Sequence, residues 1–433
     1  MPLSSGDNHP QRFELANELH ARPFPKMRAP CSCAYLAIKQ PHDAAHRDPQ
    51  EDRRHLLALL NHYGAAMPAE ESNHYYASLG RVRLKWERHT EFVTYTIYAD
   101  GVHEKPFTDD LFAHFPAEWI ADAPGKVLTS CIIRVEPITT VQEAEQTLDE
   151  HIKGWFVEES LATSRVVDDN AIVCGDFRID PAGHVRFAIL ACDGVSERRL
   201  GRIAQRLLEI ETYKSMAMLT LPEARRIAAR VGELDDELAR LVSAMAENKG
   251  PESETLDRLL RMAAEIELLV ARSAFRFSAA GAYEAIVNQR IEVLREERMT
   301  GRQLFSEFMH RRFDPAMRTC RSAQQRLTDL SGRAARASNL LRTRVDVANA
   351  SQNHQVLASM NQRSELQLRL QETVEGLSVV AISYYAVNLL TYLLTPLAAL
   401  LALDKKWLTA GLIIPVVLAV MGMIRRIKKG LNH

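Results

Sequence analysis

Two short segments of this chain carry side chains that together could do chemistry. In ELHAR, Glu18, His20 and Arg22 alternate; in WERHTE, Glu87, Arg88, His89 and Glu91 cluster. Histidine titrates near neutrality, so a Glu–His pair can pass a proton or hold a metal, and arginines beside it can hold an anion. That chemistry needs the two segments to meet in space. The alternative is a polar network that ties the N-terminal segment to a sheet. His42 and His46 have the i, i+4 spacing of a metal pair on a helix, with Asp43 and Asp48 nearby, but Pro41 and Pro49 bracket the stretch and favour a loop. Cys31 and Cys33 would share one side of a strand, as a weak metal pair or as small buried side chains. The six cysteines include no CxxC pair, which argues against a zinc ribbon or a thioredoxin-type motif and for free thiols in a reducing compartment. With no phosphate loop, GxGxxG, HExxH or GxSxG, the commonest routes to an ATPase, dehydrogenase, zinc protease or hydrolase are missing. No metal is expected, no cofactor is indicated, and an enzyme using His20, His89 and Glu91 ranks third among the functional readings.

The elements that must position these residues are of mixed type, and the expected class is α+β. Strands are expected over Ser32 to Lys39, Gly80 to Arg88, Phe92 to Ala99, Lys126 to Val135, Ala171 to Ile179 and Val185 to Cys192, giving an N-terminal α/β domain of residues 1–195. Val82, Leu84 and Trp86 alternate with Arg81, Arg83, Lys85 and Glu87, one buried face against one wet face. The apolar phase flips at Val93, which puts a turn or bulge near Arg88 to Glu91. Asp180 to Gly183 reads as a hairpin loop.

From Ser196 the period becomes helical, and residues 196–375 form a helical hairpin and stalk. Ile227, Val231, Leu234, Leu238, Leu241 and Met245 step 4,3; Asn248 to Pro251 break the helix; Leu256, Leu259, Ala263, Ile266 and Val270 begin its antiparallel partner. A last long helix starts near Pro315, with Leu327, Leu330, Ala334, Ala337 and Leu341 opening its seam.

Two uncharged runs end the chain, residues 376–403 and 407–424, and about 20 apolar residues suffice to cross a bilayer. The basic tail of residues 425–433, with Arg425, Arg426, Lys428 and Lys429, marks the cytoplasmic side, so both termini and the bulk of the protein belong there. The N-terminal residues hold no apolar run of secretory-signal length, which agrees. Formal net charge is −1, and removing those four basic residues leaves −5, so no nucleic-acid partner is expected. Leu370, Val374, Leu377, Ala381, Tyr384, Asn388, Thr391 and Thr395 step 4,3 across the stalk–membrane boundary. Inside lipid the polar members of this face need a partner, either another helix or the lumen of a symmetric pore. Gly411, Pro415 and Gly422 would let the second span approach closely.

ANELHARPF, LKWERHTEF, RLLEIETYKSMAML, LLRTRVDV and TVEGLSVVAISYY, in this order along nearly the whole chain, resemble the bacterial DUF3422 family of membrane-anchored proteins. The resemblance implies a bacterial inner-membrane protein and brings no substrate, cofactor or catalytic residue with it. The architecture also looks like the CorA class of divalent-cation channels. It departs from that class at residues 397–403, LAALLAL in place of the class's Gly-Met-Asn, and at Lys405 and Lys406, which would repel cations. The expected role is an oligomeric, membrane-tethered binding or scaffold module that engages the bilayer, further copies of itself, and a cytoplasmic ligand or protein. The rival is a CorA-like channel or transporter with its first span lining the pore.

Overall fold

Alternating side chains do build a sheet, but most of its strand pairs run antiparallel. The computed structural model describes residues 9, 11–18, 24–41, 44–247, 251–400 and 405–431. Its strands are β1 (Cys31–Lys39), β2 (His74–Leu79), β3 (Val82–Arg88), β4 (Phe92–Asp100), β5 (Lys126–Ile138), β6 (Ala162–Val166), β7 (Ala171–Ile179), β8 (Val185–Cys192) and β9 (Glu297–Arg298). They lie side by side in the order β2-β3-β4-β1-β5-β8-β7-β6-β9. Among these described strands only the β5–β8 pair is parallel. The class is α+β, as expected for the chain, and within it the N-terminal domain read as α/β is a largely antiparallel sheet rather than one built by helical crossovers. β9 also brings a strand from the region expected to be wholly helical.

The helices are α1 (Arg12–Glu18), α2 (Pro49–His62), α3 (Ala117–Ala121), α4 (Val141–His151), α5 (Glu197–Met218), α6 (Thr220–Ala246), α7 (Glu252–Glu292), α8 (Phe305–Leu400) and α9 (Lys405–Leu431). Asp48 caps α2, its carboxylate accepting from the Gln50 N–H at 2.9 Å, and Pro49 opens that helix where no N–H is needed. α2 and α3 cover one face of the β1–β4 end of the sheet, where Leu56, Leu59, Leu60 and Trp119 pack on Leu36, Leu84, Trp86, Tyr95 and Ile97. The opposite face meets α5, whose Gln205 accepts from Lys85 Nζ at 2.9 Å. This corrects the expectation that Lys85 sits on a wet face: with helices on both sides, it is buried. Antiparallel pairing places Trp86 opposite Tyr95 and Leu84 opposite Ile97 across the turn at residues 89–91, which accounts for the flipped phase.

The chain divides into two compact units, Met1–Gly250 with Asp257–Ala337, and Pro251–Leu256 with Ser338–His433. In the first, α6 and α7 run antiparallel, with Arg230 on Glu265 at 2.6 Å and Thr220 Oγ1 donating to the Arg276 carbonyl at 3.3 Å. The early part of α8 joins them through Arg321–Glu284 at 2.6 Å and Arg333–Asp235. All six seam residues of α6 are buried. On α7 Leu259 and Ile266 of the expected seam are buried together with Met262, while Leu256, Ala263 and Val270 are half-buried. α8 starts ten residues before the expected Pro315, which lies inside it; buried Phe308, Phe313 and Met317 offset the roughly 3 kcal/mol that an interior proline costs.

In the second unit α8 and α9 pack through Val387, Val416 and Val420, with Val379, Ala386, Leu390 and Ile424 around them. Gly411 and Gly422 do not make the expected close approach: a side chain at either would meet open space. β-branched side chains four residues apart form the contact instead, and the glycines face away from it.

Candidate functional site

The WERHTE segment forms the end of β3 and the turn into β4, and three anchors hold that turn. Arg88 N–H donates to the Asn73 carbonyl at 2.7 Å, and His89 N–H to that of Phe92 at 2.9 Å. Arg47 Nη2 donates to the carbonyls of His89 at 2.5 Å and Phe92 at 2.9 Å, while its charge pairs with buried Asp52 at 3.0 Å. Glu91, 2% exposed, accepts a two-pronged grip from Arg276 at 2.8 and 2.9 Å and the Tyr283 hydroxyl at 2.7 Å, with Lys39 Nζ at 3.8 Å. A paired fork of this kind is the strongest way to satisfy a buried carboxylate. It joins the turn to α7. Burial, helped by the Glu91 carboxylate, pushes the Tyr283 hydroxyl well above its ordinary value, so the phenol stays protonated as donor.

Beside the turn, between the sheet and α5, lies a cavity of about 220 Å³. Its floor is Tyr35, Thr94, Thr96 and Tyr98, its wall is Gln205, Glu209 and Tyr213, and Glu87 and His89 stand at its rim with Arg290. The His89 ring stacks on Phe92 at 4.3 Å between centroids and meets Tyr213 edge-on at 6.5 Å. A relay of contacts crosses the cavity: Glu87 to Lys85 at 3.0 Å, Lys85 to Gln205, Gln205 Nε2 to Glu209 at 2.8 Å, and Glu209 to Arg290. Tyr35 and Thr212 share a 2.7 Å hydrogen bond deeper in. Burial pushes the Tyr35 hydroxyl well above its ordinary value, so it too remains a neutral hydrogen-bonding group. Aromatic walls with a few fixed donors and acceptors suit a small polar molecule.

Glu87 and His89 line this cavity together; Glu91 points to α7, and Arg88 lies in the electrostatic field of Asp52 on α2. From the ELHAR segment, Glu18 ends α1, while His20 and Arg22 lie outside the described residues. Phe24, two residues after Arg22, lines the cavity. His42 and Asp43 also lie outside the described residues, and His46 belongs to a short 3-10 turn. Cys31 and Cys33 are buried, and burial holds the Cys31 thiol up at about 12, far from a ligating thiolate. Among the described residues no three metal-ligating side chains cluster. Sequence reasoning missed Tyr35, Lys85, Gln205, Glu209 and Arg290. The available signal was Gln205 and Glu209, polar residues four apart on one face of α5.

In the second unit Tyr384 is exposed, Asn388 is half-buried and Thr391 is buried. Thr391 Oγ1 donates to the Val387 carbonyl at 2.7 Å and Thr395 Oγ1 to that of Thr391 at 2.6 Å, so their own helix satisfies both hydroxyls. The Asn388 side chain makes no hydrogen bond among the described residues. The LAALLAL comparison at residues 397–403 falls partly outside them.

Sheet, bundle and terminal hairpin define an α+β protein with two helices long and apolar enough to cross a membrane. The chain belongs to the family described as protein of unknown function (DUF3422), whose family model matches residues 7–431. A search of curated proteins finds no match.

Proposed function

We propose that this protein is a membrane-tethered binding module of the bacterial inner membrane, in which α8 and α9 cross the bilayer and the α+β unit presents the cavity beside the β3–β4 turn to a small polar ligand on the cytoplasmic side. One observation carries the tether: only 17% and 11% of the two apolar windows are buried within the structure. A core helix of a soluble protein would be mostly covered, so these faces call for lipid or further protein. Arg425 and Arg426 on α9 support a cytoplasmic C-terminus.

The module also self-associates in this reading. Leu370, Val374, Leu377, Ala381 and Tyr384 are all exposed, and α9 packs on a different face of α8, that of Val379, Ser383, Ala386 and Val387. A second copy of the same seam supplies a matching cover. Alkaline-carbonate washing of membranes tests the tether: the full chain stays in the pellet, and release into the supernatant would rule out spanning helices. A reporter fused after His433 reads cytoplasmic; a periplasmic signal reverses the orientation. Oligomeric mass in detergent tests the seam, with Leu377→Glu expected to lower it.

A further inference from the structure

A second concavity, of about 690 Å³, lies between α5 and the C-terminal end of α7. Arg199, Arg202 and Arg206, spaced i, i+3, i+7, share one face of α5, and Arg295, just past α7, lines the same cleft with Gln289 and Val167. Arg199 Nη1 donates to Asn170 Oδ1 at 3.0 Å, Arg206 Nη1 to the Val293 carbonyl at 2.8 Å, and Arg295 pairs with Asp168 at 2.7 Å. Arg202 is exposed and makes no hydrogen bond or ion pair among the described residues. Glu292 is the one carboxylate among the described lining residues. Burial, then the charges of Arg202 and Arg290, pushes the Arg206 guanidinium below its ordinary value, which registers how crowded the positive charge is.

The backbone around the cleft is strained as well. Among the described residues six non-glycines have positive φ, and four of them flank this cleft: Val167 at 55°, Asp168 at 59°, Asp169 at 57° and Arg295 at 49°. A β-branched residue in the left-handed region is an outlier. The two strained turns are tied by Val167 N–H donating to the Leu294 carbonyl at 2.9 Å. Strain of this kind persists where the surroundings over-determine it, and it concentrates at ligand clamps.

We propose that this cleft binds a phosphate-bearing ligand, gripped by Arg199, Arg202 and Arg295 with Arg206 as the charged back wall. Guanidinium forks match tetrahedral oxyanions in geometry and charge, and the volume admits a phosphorylated molecule larger than the bare ion. The site is separate from the cavity beside the β3–β4 turn and does not depend on it. The same phosphate chemistry is found on soluble metabolites and on lipid headgroups, so the test uses one probe of each kind.

The full chain in phosphatidylcholine nanodiscs is titrated calorimetrically with pyrophosphate and, separately, with water-soluble dihexanoyl phosphatidic acid. Saturable binding of either, weakened about tenfold or more in Arg202→Ala and in Arg199→Ala but unchanged in the exposed control Arg81→Ala, is the expected result. The probe that binds then names the source of the phosphate. Binding of neither probe, or equal affinity in the wild type and Arg202→Ala, overturns the proposal. The exposed Arg202 side chain makes no hydrogen bond or ion pair among the described residues, so its removal is expected to leave folding intact.

Discussion

The two parts of α8 carry the same 4,3 apolar rhythm and meet different fates. Leu327, Leu330, Ala334, Ala337 and Leu341 are buried, whereas Leu370, Val374, Leu377, Ala381 and Tyr384 are exposed, Leu370 at 66% and Leu377 at 67%. The difference does not come from the pattern. The first part has α6 and α7 beside it, held by the Arg321–Glu284 and Arg333–Asp235 pairs, while α9 packs on another face of the second. Periodicity states that a face needs covering; the covering partner lies elsewhere in the chain or outside it.

The covered region breaks most severely where its charges are buried. Glu91→Ala leaves Arg276 and Tyr283 facing each other without their acceptor and is expected to cost about 3–5 kcal/mol, read as a shift in chemical denaturation of the full chain in detergent. Combining it with Arg276→Ala should cost less than the two single losses added. Additive losses would mean that the pair does not act as a unit. The effect on the second unit's self-association should be nil, which separates the two regions experimentally.

A direct contrast comes next. Leu330→Ala opens a cavity among α6, α7 and α8 and should cost about 2–5 kcal/mol, whereas Leu377→Ala, exposed at the start, should change stability by less than about 0.5 kcal/mol yet lower the oligomeric mass. Equal destabilisation by both would show that the exposed seam is already covered within one chain. Unchanged mass in Leu377→Ala would remove the seam from the interface.

Why the sequence foretold some of this and not the rest follows from the same contrast. The strands from Cys31, Phe92, Ala171 and Val185 were legible because each combines β-branched or aromatic residues with turn signals at its ends. β2, HYYASL, and β6, ATSRV, were not, since short strands of mixed polarity take their identity from neighbours. Lys85 looked wet because alternation cannot register a helix arriving from more than 100 residues away; Gln205 supplies that cover. Glu91 could be marked as chemically interesting, yet its partners on α7 lie far along the chain, so the fold turned a candidate acid into an anchor. The arginine face of α5 was in plain view as R-x-x-R-x-x-x-R but carried no meaning until the strained turns came beside it.

Acidity offers a finer probe of the covered region, because α2 holds two titratable groups with opposite demands. Burial pushes the Asp52 carboxyl up from 3.8 to about 6, against the pull of Arg47, and holds the His55 imidazole down from 6.5 to about 4. His55 stays neutral between the Tyr95 hydroxyl at 2.8 Å and the Trp119 carbonyl at 2.9 Å. The stability Asp52 contributes is full below pH 4 and is lost as pH rises through 6. That of His55 is full above pH 6.5 and is lost as pH falls through 4. Each is worth about 3 kcal/mol at 1.36 kcal/mol per unit, and in the wild type they largely cancel between pH 4 and 6. Asp52→Asn should therefore convert a flat profile into one that rises with pH over that window. A profile that stays flat would mean that one of the two groups titrates normally. Under the proposed self-association through the exposed seam, the oligomeric mass should not follow pH in either protein.

The smallest expected effect tests the second unit from within the apolar part of α8. Asn388 lies on the seam, between Tyr384 and Thr391, and its side chain makes no hydrogen bond among the described residues, whereas both threonine hydroxyls are satisfied by their own helix. If a second copy covers the seam, Asn388 meets its counterpart there, and such interhelical bonds in membranes are worth about 0.6–2 kcal/mol. Asn388→Leu should then weaken association about 3- to 30-fold in dilution series in detergent, while the stability of the α+β unit stays unchanged. Ion flux into liposomes measured alongside separates packing from a pore. A change in association without flux in either protein keeps the seam an interface, whereas flux that responds to Asn388→Leu would turn the uncovered face toward a water-filled lumen and recast the tether as a channel.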